Sequence, residues 1–268
     1  MDKLTPMYTL EGGDYMDHPS VRGLLLSGAI TPDFLRDIWN SPYDVIIFSK
    51  NEAVIEAASP MQLMVVTYGW FFSYSELPNG QRQVHRIYMD GDIIGDDDFS
   101  RQRNSFNIES ATKSRAAVMD APTCRKLLRQ HTGLLDYLTR NLSHNLLLSM
   151  DHAKSISRLQ TKERLAHFIL SMLSRIRWTS RKPDLTLIHI PLNQGIISDY
   201  LGLTNVHVSR TLKSLEVDGL IERPEPNKYH ILDEPALVKM SGFIDRQKQF
   251  AEEMGVLNNK PEAPARRA

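Results

Sequence analysis

The 268-residue sequence holds a single cysteine, Cys124. One thiol excludes an internal disulfide framework, and it excludes zinc or iron–sulfur sites built from several cysteines of one chain. No stretch reaches about 18 consecutive apolar residues, so no membrane-crossing helix is expected. Residues 1–13 carry acids and glycines and lack the apolar segment of a signal peptide, which makes the cytoplasm the expected compartment. A P-loop, a G-x-S-x-G elbow, an HExxH helix and Cys/His metal spacings are all missing, so an enzyme is the weakest reading. The run Asp96-Asp97-Asp98 offers carboxylates to a metal, but an exposed turn is the plainer explanation. Net charge is lacking too: 32 Lys and Arg balance 32 Asp and Glu, so bulk charge gives no argument for nucleic acid.

What is present is uneven. Residues 1–60 carry 4 Lys and Arg against 9 Asp and Glu, whereas residues 140–182 carry 9 against 2. Such a basic stretch can sit near phosphates or be a solvated helix face. A hydrophobic content of 41% supports real cores. The length suits two modest domains of roughly 100–200 residues each.

Texture divides the chain. Residues 1–20 read as a loose arm, and residues 21–40 as short helical pieces with Thr31-Pro32 as a start. From residue 43 to 117, short apolar runs (44–48, 62–68, 70–74, 84–88, 115–119) alternate with turn signals, including Pro78-Asn79-Gly80 and Asp90-Gly91-Asp92. Asn-Gly between apolar runs signals a hairpin, and the spacing predicts a compact antiparallel β roll or barrel. The period then switches. Leu127, Leu134, Leu135, Leu138, Leu142 and Leu146 recur at helical spacing after Pro122, predicting one helix of about 30 residues, roughly 45 Å long. A leucine seam of that length suggests a dimer partner; the alternative is packing on its own β domain. A second helix is expected over 161–176, a basic loop over 178–183, and a short strand over 185–190. The tail after Leu257 is rich in Pro, Ala and charge and reads as disordered.

Residues 193–219 read as a helix-turn-helix. Asn193 can cap a first helix whose inner side holds Ile196, Ile197 and Leu201. Gly202 stands at the sharp turn, and Thr204 can cap a second helix in which Val208, Leu212 and Leu215 recur at buried spacing. That leaves Asn205, Val206, Ser209, Arg210 and Lys213 outward on the first turns, where a recognition helix meets base edges. A guanidinium at Arg210 can bond guanine N7 and O6 together. Two short strands with a turn follow Gly219 as a wing, with Lys228 and Arg223 in reach of phosphates. Against this stands the acidity of the module: residues 183–232 have 4 Lys and Arg against 6 Asp and Glu, so the upstream basic stretch must help.

The segment YLGLTNVHVSRTLKSLEVDGLI resembles the helix-turn-helix of the Crp/Fnr superfamily of transcription regulators. TKERLAHFILSML resembles the helix that opens the DNA-binding domain in the Fnr/FixK branch, and NGQRQVHRIYMDGDIIGDDDF resembles the hairpin and GD-x-x-G turn of the family's β roll. The resemblance spans about residues 40–235. It implies an α+β fold: an N-terminal cyclic-nucleotide-binding-type β roll (21–120), a long dimerisation helix (121–155), a winged helix-turn-helix (156–235), and a C-terminal helix and tail (236–268). It implies a homodimer reading a two-fold symmetric site and contact with RNA polymerase. The DNA-contacting set it implies is Thr204, Asn205, Val206, His207, Ser209, Arg210, Lys213 and Lys228. Fnr-type relatives carry a Glu where Val206 stands. An apolar side chain cannot accept from cytosine N4 but can touch a thymine methyl, so the half-site is expected to differ from a TTGAT-type core.

The same resemblance places an effector pocket at Asp96, Arg103, Asn104 and Ser105. Cyclic-AMP-binding members carry there a Glu and an Arg-Ser pair that grips phosphate. Here three successive aspartates would repel an anion, so cyclic nucleotide binding is expected to be lost. A single Cys excludes the oxygen-sensing cluster of Fnr. Haem stays open through the nine histidines, with His85 and His131 as weak candidates, and Cys124 is expected to be inert. The competing reading is a ligand-binding or scaffold protein whose DNA-binding domain has degenerated.

Overall fold

A computed structural model describes residues 43–98 and 100–253. The readings for the N-terminal arm, the helical pieces over 21–40 and the tail lie outside the described residues. The described chain opens with eight strands: β1 (Asp44–Phe48), β2 (Ala53–Ile55), β3 (Gln62–Tyr68), β4 (Phe71–Glu76), β5 (Arg82–Tyr88), β6 (Ile93–Ile94), β7 (Asn107–Ser110) and β8 (Ser114–Asp120). They form two antiparallel four-stranded sheets, ordered β1-β8-β3-β6 and β2-β7-β4-β5. Alternation decides which side chains face inward. Met64 and Val66 from β3 and Ala116 and Val118 from β8 meet Phe71, Tyr88 and Ile108 from the other sheet. Phe48 meets Phe71 edge to face at 5.6 Å. The β4–β5 hairpin turns through Asn79-Gly80, with the Leu77 amide bonded to the Gln81 carbonyl at 2.8 Å. Gly95 ends the Gly-Asp-Ile-Ile-Gly turn at φ +88°, and a Cβ there would stand 2.3 Å from the Gln62 carbonyl oxygen. Only glycine serves at that crossing.

The expected single leucine helix is two. Helix α1 (Ala121–Gln130) is capped by Asp120, which accepts from the Thr123 amide at 2.8 Å. It ends at His131, whose backbone is extended (φ −127°, ψ 90°), and α2 (Thr132–Arg158) follows. The 27 residues of α2 span about 40 Å at 1.5 Å per residue. The leucines divide by helix face as well as by helix. Leu127, Leu134 and Leu138 pack with Ile93, Cys124 and Tyr137 against the β roll, so they belong to this chain's own core. Leu135, Leu142 and Leu146 are exposed, and Leu147 and Met150 extend their row. The first turns of α2 continue the cover over the β roll through Leu134, Tyr137 and Leu138, and the exposed row lies on another face of the same helix.

Helix α3 (Thr161–Ser180) starts from a capping box between Gln160 and Glu163. It runs through the expected basic loop as far as Ser180, ending on Arg181 in the left-handed conformation. Then come β9 (Leu187–His189), α4 (Gln194–Leu201), α5 (Asn205–Val217), β10 (Ile221–Glu222), β11 (Lys228–Ile231), α6 (Glu234–Ser241) and α7 (Arg246–Glu253). The region after 236 thus holds the end of one helix and a second one, where a single helix was expected. Strands β10, β11 and β9 make the three-stranded wing sheet.

The two halves share one core. Phe72, Val84, Ile87 and Met89 of the β roll lie in the same apolar cluster as Phe168, Ile169 and Leu201 of the C-terminal half. Polar contacts lock that seam. Arg175 donates to the Ile87 carbonyl at 2.9 Å and pairs with Asp92. Gln83 donates to the Asp199 carbonyl at 3.0 Å. Histidines join α2 to the same body: His144 stacks on Phe250 at 4.4 Å, and His152 stacks on Tyr200 at 4.0 Å. Burial pushes both imidazoles down to about 4.

Neutral imidazoles at this seam make the fold acid-sensitive. Their folded-state values lie below the ordinary value near 6.5, so between those limits the unfolded chain binds more protons. Stability is therefore intact above about pH 6.5 and falls as pH drops toward 4, by about 1.4 kcal/mol per pH unit for each histidine. Urea melts across this range should show the slope, and the double variant His144→Phe, His152→Phe should flatten it. An unchanged slope would place the acid sensitivity elsewhere.

Candidate nucleic-acid interface

The helix-turn-helix is built from local rules. Asn193 accepts from the Ile196 amide at 2.9 Å and starts α4. Gly202 ends it in the left-handed region (φ +62°), and the Leu203 amide bonds back to the Ser198 carbonyl at 2.9 Å. Thr204 then caps α5 by accepting from the His207 amide at 3.3 Å. Val208, Leu212 and Leu215 are buried against α3 and α4. This fixes the phase of α5 and leaves Asn205, Val206, His207, Ser209, Arg210 and Lys213 exposed on its outer side. Val206 is 56% exposed. Asn205 is tied from behind: its side-chain amide lies 2.9 Å from the Ser198 hydroxyl of α4.

Charge is distributed differently from expectation. Most of the basic stretch 140–182 is committed to holding the chain together. Arg164 donates to the Leu201 carbonyl at 2.8 Å, Arg175 holds Asp92, and Arg177 makes a two-pronged bridge to Glu234 at 2.8 Å on each arm. Arg140 pairs with Asp136 and Lys154 with Asp151. Lys162 lies beside the reading face, sharing a shallow cleft with Arg210, Thr211 and Ser214, and it pairs with Asp218. In the wing, Arg223 folds back onto Glu216 with arms of 3.1 and 2.8 Å and holds that carboxyl below the usual range, so it is a structural cation. Lys228 pairs with Glu225 at 2.8 Å. The first-turn amides of α5 add the positive end of a helix dipole to the same face.

The four residues expected to form an effector pocket do not gather around one space. Asp96 is buried and faces α2, where Asn141 and Asn145 each donate to it at 2.8 Å and Arg86 pairs with it at 3.1 Å. Asn104 is buried against Ser59 and Pro60, donating at 2.9 and 2.8 Å, and Arg103 donates to the Ala58 carbonyl at 2.7 Å. Ser105 is occupied by the Asp98 carboxylate, which accepts from its hydroxyl at 2.5 Å and its amide at 2.6 Å. The acidic run is therefore no exposed turn, since Asp96 and Asp98 are both buried. These residues do not fit a cyclic phosphate, because a carboxylate sits where an anion would need donors.

The Asp96 clasp was not read from the sequence, although Asn141 and Asn145, one turn apart in a leucine-rich helix, are the signal that could have found it. His85 bonds Ser75 at 2.8 Å and packs on Phe106, while His131 sits at the α1–α2 junction. Cys124 is buried among Leu127, Leu128 and Tyr137, and burial pushes its thiol up to about 11. A thiol that hard to ionise is a poor nucleophile. Among the described residues, no His, Cys, Asp and Glu cluster could hold a metal, and no helix is long and apolar enough to cross a membrane.

Comparison with known proteins agrees with this architecture. The cyclic nucleotide-binding domain profile matches residues 45–131, and the Crp-like helix-turn-helix domain profile matches residues 163–240. The chain is 29% identical over 227 residues to the transcriptional activatory protein AadR of Rhodopseudomonas palustris, covering 81% of this chain and 89% of that protein. It is 26% identical over 175 residues to the nitrogen fixation regulation protein FixK of Bradyrhizobium diazoefficiens, covering 65% and 72%. In fold it is similar to the structure of FixK2 from Bradyrhizobium japonicum, with a TM-score of 0.67 at 22% identity over 74% of this chain and 97% of that one. With both domains present in this order and the reading helix exposed, the chain belongs to the Crp/Fnr family of DNA-binding transcription regulators and is not an enzyme.

Proposed function

We propose that the protein acts as a homodimer on a two-fold symmetric DNA site, with one α5 in each of two successive major grooves. The observation that carries this reading is the stripe Asn205, Val206, Ser209, Arg210 and Lys213, exposed on a helix whose opposite side is locked in the core. Arg210 reads guanine through N7 and O6, and Val206 meets a thymine methyl. Thr204, His207 and Ser209 line the entry of the helix, while Lys213 and Lys228 meet phosphates. The partner copy lies along α2, whose exposed row Leu135, Leu142, Leu146, Leu147 and Met150 has the spacing of a two-stranded seam. Contact with RNA polymerase in the cytoplasm completes the reading, as the family resemblance implies.

We also propose that the β roll works without a cyclic nucleotide. The Asp98–Ser105 bond and the Asp96 clasp support this, because each occupies a group that an anion would need.

Three outcomes follow. Arg210→Ala should weaken binding to the selected site by about 10- to 100-fold, the loss of roughly 1–3 kcal/mol expected for a two-pronged base contact. Competition mobility shifts measure this, and an unchanged base preference would remove Arg210 from the reading set. The pair Leu142→Asp and Leu146→Asp should leave a folded monomer in sedimentation equilibrium; a persistent dimer would move the interface off α2. Calorimetric titration with cyclic AMP should show no saturable heat at millimolar ligand, and one-to-one binding would overturn the account of Asp98.

A further inference from the structure

The reading helix carries one residue whose meaning depends on a neighbour that never touches DNA. Asn205 is the first residue of α5 and is exposed. Behind it lies Ser198 of α4, which is 4% exposed. The Ser198 Oγ stands 2.8 Å from the Gly195 carbonyl oxygen and 2.9 Å from Asn205 Oδ1. Both neighbours are acceptors, but a serine hydroxyl has one hydrogen. With Oδ1 toward the serine, one of these two contacts at hydrogen-bond distance has no proton of its own.

The conflict has a simple resolution. The oxygen and nitrogen of a side-chain amide exchange places on a half-turn with no change of shape, and the hydrogen-bond network decides between them. With the Asn205 amide turned, Nδ2 donates to Ser198 Oγ and the hydroxyl donates to the Gly195 carbonyl. Two hydrogen bonds then stand where one stood, and the serine oxygen acts as donor and acceptor together. The turn also changes what faces outward. In place of two N–H donors, Asn205 presents its carbonyl oxygen beside the N–H on the oxygen's side. That pair matches adenine, whose N6 amino group donates and whose N7 accepts. Two outward donors would instead suit an acceptor edge such as guanine O6 and N7.

We infer that Ser198 is a positioning residue that holds the Asn205 amide in the orientation that reads adenine, and so sets one base of the half-site. The inference rests on α5 being the helix that reads DNA. Its chemistry lies in a buried hydroxyl that fixes the direction of an exposed amide, and a base contact pre-set in this way loses less freedom on binding.

Selection from a random duplex pool tests it, with circular dichroism melts to confirm folding. Asn205→Ala first locates the base pair that Asn205 reads. The wild-type chain should prefer adenine there, and Ser198→Ala should lower that preference about 10-fold while leaving the guanine read through Arg210 unchanged. Ser198→Thr, which restores the hydroxyl, should restore the preference. A residue with a purely structural role would weaken all positions together and would not single out one. A guanine at the Asn205 position would overturn the inference, as would a Ser198→Ala profile identical to wild type. A wild-type chain that selects no motif would instead overturn DNA reading by α5, and the inference with it.

Discussion

The structure depends on one apolar core that joins the β4–β5 hairpin to α3 and the winged helix-turn-helix. Strand β5 packs on α4, and Phe72 and Ile87 of one half lie in the same cluster as Phe168 and Ile169 of the other. Each large side chain buried in this way stabilises by roughly 1.5–3 kcal/mol, and the joint therefore outweighs any one ion pair around it. The polar contacts specify its geometry. Arg175 can reach the Ile87 carbonyl and Asp92 only when α3 lies along the hairpin. Gln83 can reach the Asp199 backbone only when α4 does. The position of the reading helix is thus referred to the β roll through a continuous apolar contact, without a flexible linker between them.

Much of this was legible in the sequence, for identifiable reasons. Short apolar runs bounded by turn residues marked the spans of β3 and β8, and Asn79-Gly80 marked the hairpin. Capping chemistry at Asn193 and Thr204 and the glycine between them gave the helix-turn-helix. What failed was contact between distant segments. Periodicity shows that leucines share a helix face, but not whether that face meets the same chain or another copy. Leu127 and Leu134 look like Leu142 and Leu146 in the sequence, yet the first two are buried against the β roll and the last two are exposed, a difference of tertiary packing that helical spacing does not carry. Likewise, the charge of residues 140–182 was visible, but its consumption by Glu234, Asp92 and backbone carbonyls was not. The effector positions failed for the same reason, since Asp96 is defined by two asparagines nearly fifty residues away.

The Asp96 clasp ties the turn after β6 to the long helix α2. Arg86 of β5, Asn141 and Asn145 converge on one buried carboxylate, so the β roll, the hairpin and the helix that carries the exposed seam share a polar node. Such a node costs more to break than to leave intact, because removing one partner strands buried polar groups.

The ion pairs around the reading face have a last consequence. Lys162 is held by Asp218, Lys228 by Glu225 and Arg223 by Glu216, so these cations already carry their counter-charges within the chain. Meeting a phosphate then means exchanging a carboxylate for it, and fewer small ions are released than a count of lysines and arginines implies. Under the proposed mode of DNA reading, such a surface would hold nonspecific DNA loosely, and discrimination between sequences would rest all the more on the few side chains assigned to bases.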